Sequence, residues 1–369
     1  MNYNEALNFI HSRDKFGSRP GMERIEALCN AFDNPQDKLK YVHVAGTNGK
    51  GSTCHMIASV LSESGYKVGL FTSPFVVDFR ERIQINGEMI SREDLAEIIS
   101  EVKPVVEKLS KQGIEPTEFE IITITAFLYF LRQNCDIVVL EVGLGGLLDS
   151  TNIIKKSEVS VITSISLDHT NILGDTLLKI AEHKCGIFKE GGNVVGYPQP
   201  DFAVERFIKD KAKEKNCKYF PHELSKIRLV REEIDSSTII YAGCTFKIPL
   251  TGKHQLYNFA TAVAAINVLK QNGWNVTYKS LIDGISKVKV PARTEIISHS
   301  PLTIIDGGHN AEGVDALCNT LVKFCANRKI IAVFGMMKDK DYRYAVKKLA
   351  PLCERIYTTE ARSEEHTSE

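Results

Sequence analysis

The sequence predicts an α/β protein: a mostly parallel sheet flanked by helices, a small antiparallel element, and a second, smaller α/β domain after residue 290. Three observations carry this. Short β-branched runs alternate with segments whose apolar residues recur at helical spacing. Most of those runs are apolar at consecutive positions, as strands covered on both faces must be. Residues 226–250 break the pattern, with three alternating runs joined by turn residues, which reads as antiparallel. The length of 369 residues fits two or three domains at ~150 residues each.

The elements follow in order. Ala6, Leu7, Phe9 and Ile10 make one helical apolar cluster; Met22, Ile25, Leu28 and Cys29 make the next. The run 41–45 is a strand ending in Gly46-Thr47-Asn48-Gly49-Lys50-Gly51-Ser52, after which Met56, Ile57, Val60 and Leu61 stripe a helix closed by Gly65. With the buried run 67–71 this is a βαβ unit, whose crossover is right-handed. Ser91 caps a helix near 93–109, and 120–131 suits a helix, although its threonines and isoleucines also suit a strand. Residues 136–141, 159–163 and 193–196 are further strands, and a long helix covers 256–269. Val288-Lys289-Val290-Pro291 reads as a linker. Beyond it a new alternation has strands near 302–305, 329–334 and 355–358 and helices near 311–325 and 342–349.

Composition narrows the function. Hydrophobic residues make 43% and charged residues 25%; Lys plus Arg equals Asp plus Glu at 46 each, which argues against a nucleic-acid backbone binder. Nine scattered cysteines without a C-x-x-C pair read as reduced thiols, and the charged N-terminus lacks the apolar core of a signal peptide. No apolar run approaches the ~18 residues of a membrane span. A protein of the cytoplasm, apart from membranes and nucleic acid, is the expectation.

Residues Gly46 to Ser52 form the most informative segment. A strand, a glycine-rich turn and a helix N-terminus aim backbone N–H groups at one point, and Lys50 adds a full charge, which together suit a polyphosphate. The common G-x-x-x-x-G-K-[ST] form is not met strictly, since Val44 stands at the first glycine and Gly51 shifts the hydroxyl to Ser52. A purely structural turn is the alternative. Ligands of parallel sheets collect at the strands' carboxyl ends. Glu141 ends one strand and Asp168-His169 follow another, so carboxylate and imidazole fall on the phosphate-loop side as candidate Mg²⁺ ligands. A satisfied structural histidine is an equal reading of His169. Lys184 sits among small apolar neighbours, where partial burial would lower its pKa.

Nine segments in order are similar to those of the folylpolyglutamate synthase/dihydrofolate synthase family of the Mur ligase superfamily: HVAGTNGKGST (43–53), TSPFVVDFRERIQING (72–87), EVGLGGLLDSTN (141–152), SVITSISLDHTNILGDT (160–176), HKCGIFK (183–189), HQLYNFATA (254–262), PARTE (291–295), DGGHN (306–310) and FGMMKDKD (334–341). The resemblance implies a P-loop NTPase-like first domain over 1–289, a smaller Rossmann-like glutamate ligase domain over 290–361, and an ATP-dependent amide ligase working through an acyl phosphate. Its substrates would be a pteroate or folate and L-glutamate. It further implies that Gly46, Thr47, Asn48, Gly49, Lys50, Gly51 and Ser52 hold the ATP phosphates, and that His254, Gln255 and Asn258 contact ATP. Arg293, Asp306 and His309 would close over the nucleotide from the second domain. Ser73 and Glu141 would bind one Mg²⁺ and His169 a second, with Lys50, His169 and Lys184 as catalytic groups and Lys184 carbamylated. Thr117, Phe119, Asp149 and Ser150 would meet the pterin. Family habit implies a monomer.

Leu147 departs from the family's arginine, and His183 and Cys185 replace its usual glutamate and alanine. The family continues beyond Glu360, so the chain reads as truncated. Residues 362–369 then read as the translation of a sequencing adapter, with an ordinary polar terminus as the alternative. Two other functions compete: a Mur-type ligase for another acid, and a nucleotide-binding protein inactivated by Leu147 or by truncation.

Overall fold

The computed structural model describes residues 1–13, 20–338 and 340–360; the expected adapter-like tail, 362–369, lies outside them. In chain order the elements are α1 (Tyr3–His11), α2 (Glu23–Ala31), β1 (Tyr41–Ala45), α3 (Lys50–Glu63), β2 (Val68–Phe71), β3 (Ile83–Ile85), β4 (Glu88–Met89), α4 (Arg92–Lys111), α5 (Glu118–Arg132), β5 (Ile137–Glu141), β6 (Val159–Ile162), α6 (Thr170–Leu173), α7 (Leu177–Cys185), β7 (Asn193–Val195), α8 (Phe202–Glu214), β8 (Lys218–Phe220), β9 (Ile227–Glu232), β10 (Ser237–Tyr241), β11 (Cys244–Ile248), α9 (Lys253–Gln271), α10 (Tyr278–Ser286), β12 (Glu295–His299), β13 (Leu302–Ile305), α11 (Ala311–Cys325), β14 (Ile331–Phe334), α12 (Tyr342–Leu349) and β15 (Arg355–Thr358).

Among the described residues the main sheet runs β4-β3-β2-β5-β1-β6-β7-β8. It is parallel from β2 to β8, with β3 and β4 added antiparallel at one edge. Successive residues of β1 and β5 point to opposite faces, and both faces are covered. Val42, Val44, Ile137 and Val139 pack with α3, α9 and the β9–β11 sheet; Tyr41, Val138 and Leu140 pack with α1, α2, α4 and α5. That double burial explains the unbroken apolar runs. A third core joins α7 and α8 to Ile162 and Val194. The ambiguous run 120–131 lies within the helix Glu118–Arg132, which Thr117 caps and for which Glu120 completes the box by accepting from the Thr117 N–H.

The C-terminal part departs from a single alternating sheet. Among the described residues β12 and β13 form an antiparallel hairpin, while β14 and β15 form a separate parallel pair. Strand β13 matches the expected strand near 302–305, whereas β12 has no sequence signal, because its two apolar residues, Ile296 and Ile297, are adjacent and Ile297 is exposed; the chain turns back at Ser300-Pro301. Val314, Cys318, Leu321, Ala345 and Leu349 give this part a core of its own. No helix among the described residues is long and apolar enough to cross a membrane.

Candidate active site

Strand β1 delivers the chain to Gly46, and α3 begins at Lys50, so the intervening turn lies at the carboxyl edge of the sheet. Two of its glycines are sterically obligatory. A Cβ on Gly46 would lie 1.8 Å from Thr163 Oγ1, and one on Gly49, at φ 83°, would lie 2.3 Å from Asn258 Oδ1. The Thr47 N–H donates to Ser164 O at 2.6 Å and the Asn48 N–H to Ser164 Oγ at 3.3 Å, which ties the turn to the loop after β6. Ser52 is buried in the first turn of α3.

Two lysines converge on one carbonyl. Lys50 Nζ donates to Gly46 O and Thr47 O, both at 3.1 Å, and Lys184 Nζ reaches Gly46 O from α7 at 2.7 Å. Burial, and then the charge of Lys50, push Lys184 well below the usual lysine range. Glu141 ends β5, buried, and accepts the Ser73 N–H at 3.2 Å. It lies under the start of α3: a Cβ on Gly51 would be 3.6 Å from its Oε2. Burial raises its carboxyl, and Lys50, the Ser73 N–H, Arg293 and Arg82 pull it back down.

Mg²⁺ is commonly held by one or two carboxylates together with substrate phosphates and water. A buried carboxylate facing a phosphate loop and a lysine pair fits that donor set. Among the described residues no three His, Cys, Asp or Glu side chains gather into an all-protein cage. His169, at φ 49°, sits within the field of Lys50, with Nε2 at 3.4 Å from Lys340 Nζ and 3.9 Å from Asp168 Oδ1.

The expected pterin-side residues surround the loop after β5. The Phe119 ring lies against Gly143, where a Cβ would come within 2.5 Å of its Cζ. Asp149 turns inward: Oδ2 accepts the Leu144 N–H at 2.8 Å, and Oδ1 accepts the Thr151 N–H at 2.9 Å and its hydroxyl at 2.5 Å. Thr117 is likewise occupied as the cap of α5, and Ser150 is buried in the turn Ser150–Ile153. The carboxylate of Asp149 therefore shapes the loop from within. Leu147 is about half exposed on that loop.

The residues expected on the nucleotide side divide into two layers. Gln255 and Asn258 are buried under the phosphate loop, with Asn258 Nδ2 donating to Gln255 Oε1 at 2.9 Å. Asn258 Oδ1, against Gly49, has no hydrogen-bond partner among the described residues. His254, whose ring feels Asp306, Glu312 and Arg293, lies at the seam between the two parts of the chain. Asp306 accepts Thr294 N–H at 2.9 Å and Gly308 N–H at 2.8 Å, and the Arg293 guanidinium stands beside Gly307, at 3.4 Å from where a Cβ would be. Across the seam Asn48 Nδ2 donates to Glu312 Oε2 at 2.6 Å, and Asn310 Nδ2 donates to Asn48 Oδ1 at 2.9 Å. Ser164 and Ser166 hydroxyls also donate to Glu312, at 3.2 and 2.9 Å.

Residues 44–266 match the family model for the Mur ligase middle domain and residues 292–369 that for the Mur ligase, glutamate ligase domain. A dihydrofolate synthase/folylpolyglutamate synthase of Bacillus subtilis is 39% identical over 366 residues, spanning 96% of this chain and 84% of its own. The chain belongs to the folylpolyglutamate synthase/dihydrofolate synthase family. It is an ATP-dependent ligase of the acid–amino-acid class. The apo folylpolyglutamate synthase of Lacticaseibacillus casei superposes with a TM-score of 0.87 at 33% identity, covering 98% of this chain and 90% of that one. A folylpolyglutamate synthase complex with AMPPCP and folate gives 0.87 at 34%, with the same coverage.

Within this family's framework, sequence reading missed Glu312, Asn310 and Lys340 as partners of the phosphate-loop side. Lys340 lay in a quoted motif, FGMMKDKD, but nothing local pointed it at residue 168. Glu312 carried no signal beyond its place in the first turn of α11. The buried pair His43 and Thr151, 2.9 Å apart, was also invisible, because one member lies inside an apolar strand.

Proposed function

We propose that this ligase joins the amine of L-glutamate to a carboxyl group of dihydropteroate or of a tetrahydrofolate (poly)glutamate. The carboxylate oxygen attacks the γ-phosphorus of ATP, ADP leaves, and the resulting acyl phosphate loses inorganic phosphate to the attacking amine. The observation that carries this reading is the meeting of Lys50 and Lys184 on the Gly46 carbonyl, beside the buried Glu141, at a helix N-terminus. In the relatives' company that arrangement supports a triphosphate site.

Anion attacks anion in the first step, so the barrier is largely electrostatic. Lys50 and the loop N–H groups would meet the phosphates; Ser73, Glu141 and His169 would hold Mg²⁺, which supplies further charge neutralisation when bound. Lys184, whose neutral form burial favours, is the amine suited to carbamylation. Arg293, Asp306 and His309 belong to the second unit, for which we place the boundary at residue 290, and they would close the cleft so that the acyl phosphate meets the amine before water. The nine free thiols fit a reducing compartment such as the cytoplasm, the balanced charge fits small-molecule rather than nucleic-acid partners, and a monomer is the reading from family habit alone.

The test is product detection by mass in a panel of pteroate and folate substrates. Glutamylated product requiring ATP, L-glutamate and the acid together is expected, and Lys50→Ala should lower the rate roughly 10²–10³-fold. Phosphate release at an equal rate without acid and glutamate would sink the proposal.

A further inference from the structure

Asp168 ends the loop after β6 and stands outside the groups that the ligase chemistry calls for. Its side chain is 10% exposed, and both oxygens take donors from across the seam. Oδ1 accepts Lys340 Nζ at 2.8 Å; Oδ2 accepts Asn310 Nδ2 at 3.3 Å and faces His309 Nε2 at 3.3 Å. These donors arrive from two separate connections, β13–α11 and β14–α12. Asn310 also holds Asn48 of the phosphate loop, and Lys340 also approaches His169. One carboxylate thus brings two C-terminal loops, the phosphate loop and the His169 turn into common register.

We infer that Asp168 is a positioning residue that aligns the C-terminal unit on the phosphate loop for acyl transfer. The inference rests on the proposed ligase function. Its physical basis is burial combined with convergence. Lys340 is only 12% exposed, so its bond to Asp168 is poorly screened, and removing the carboxylate takes a buried partner from a lysine that also stands 3.4 Å from His169. The Lys323–Glu232 pair crosses the same seam, yet its lysine is 52% exposed and far more open to solvent screening. Equal deletions at the two pairs therefore have unequal effects.

The test compares Asp168→Asn, Asp168→Glu, Lys340→Met and Lys323→Met with the unaltered chain. Misplacement of a seam that positions reacting groups is expected to lower kcat roughly 100-fold in Asp168→Asn and Lys340→Met, while affinity for AMPPCP stays within about threefold. Asp168→Glu should recover part of kcat, and Lys323→Met should match the parent. Independently of activity, hydrogen–deuterium exchange should quicken in residues 306–313 and 338–344 together in Asp168→Asn, and in neither segment in Lys323→Met. Parental kcat in Asp168→Asn, unchanged exchange in both segments, or equal losses of kcat in Asp168→Asn and Lys323→Met would overturn the inference. If the unaltered chain forms no glutamylated product, the ligase reading fails, and the exchange comparison alone decides the role of Asp168. Should Asp168→Asn fail to fold, Lys340→Met decides by the same two readouts.

Discussion

Lys184 carries its amine into a site that disfavours the protonated form. Its folded pKa lies well below the unfolded 10.5, so between those two values the unfolded chain binds more protons and stability rises with pH. Below that window the full cost is present. Lys184→Met removes the cost while Lys50 still donates to Gly46 O. The variant should therefore melt higher near neutral pH, by roughly 2–4 °C for each ~1 kcal/mol recovered. The gain should vanish as pH approaches 10.5. Calorimetry across pH in carbonate-free buffer checks this. The same variant should lose ligation about 10²-fold, a trade of activity for stability. At this scale, legibility followed chain distance. Gly46, Gly49, Lys50 and Glu141 were readable because each is fixed by the strand or turn that carries it. The seam partners were not: Asp168 and Lys340 are 172 positions apart, and Asn48 and Glu312 are 264 apart, so only the fold pairs them.

Between elements, the loop after β5 is shaped by what packs on it. The Phe119 ring fills the space where any residue but glycine at 143 would put its Cβ. On the proposed function, Gly143→Ala should displace that ring and raise KM for the pteroate substrate about tenfold, equivalent to ~1.4 kcal/mol, leaving KM for ATP unchanged. Steady-state kinetics with each substrate varied separately would show it. Long periodic segments such as α4 and α9, and the apolar central strands, were evident in the sequence because burial on defined faces imposes a period. Short or edge elements were not. β3 and β4 have three and two residues, too few to establish alternation, and their pairing depends on β2 beside them. Of the β12–β13 hairpin only β13 is legible, as the first strand of the second alternation, because β12, half exposed, lacks the apolar run of a central strand.

Across the described residues, the buried members of the apolar cores are segregated along the chain. Three clusters draw their buried residues from positions 6 to 288, and the fourth from 314 to 349. Apart from Ile234, which packs against the C-terminal cluster, the contacts between the two parts described above are polar, through groups such as Asn48, Asp168, Asn310 and Glu312. A fragment of residues 1–289 should consequently unfold cooperatively and still bind AMPPCP, while forming no glutamylated product because Arg293, His309 and Lys340 are gone. Thermal unfolding and calorimetric titration of the fragment test both halves of that expectation; a fragment that never folds would move the boundary.

The Lys50 side chain and the loop's backbone N–H groups, gathered at a helix N-terminus, make the loop a trap for any multivalent anion. Sulfate, phosphate or pyrophosphate in the storage buffer should raise the melting temperature by mass action, an effect that sets in near the dissociation constant and then grows with the logarithm of concentration. A preparation dialysed into chloride alone would then look less robust than the same protein in phosphate, although no residue had changed.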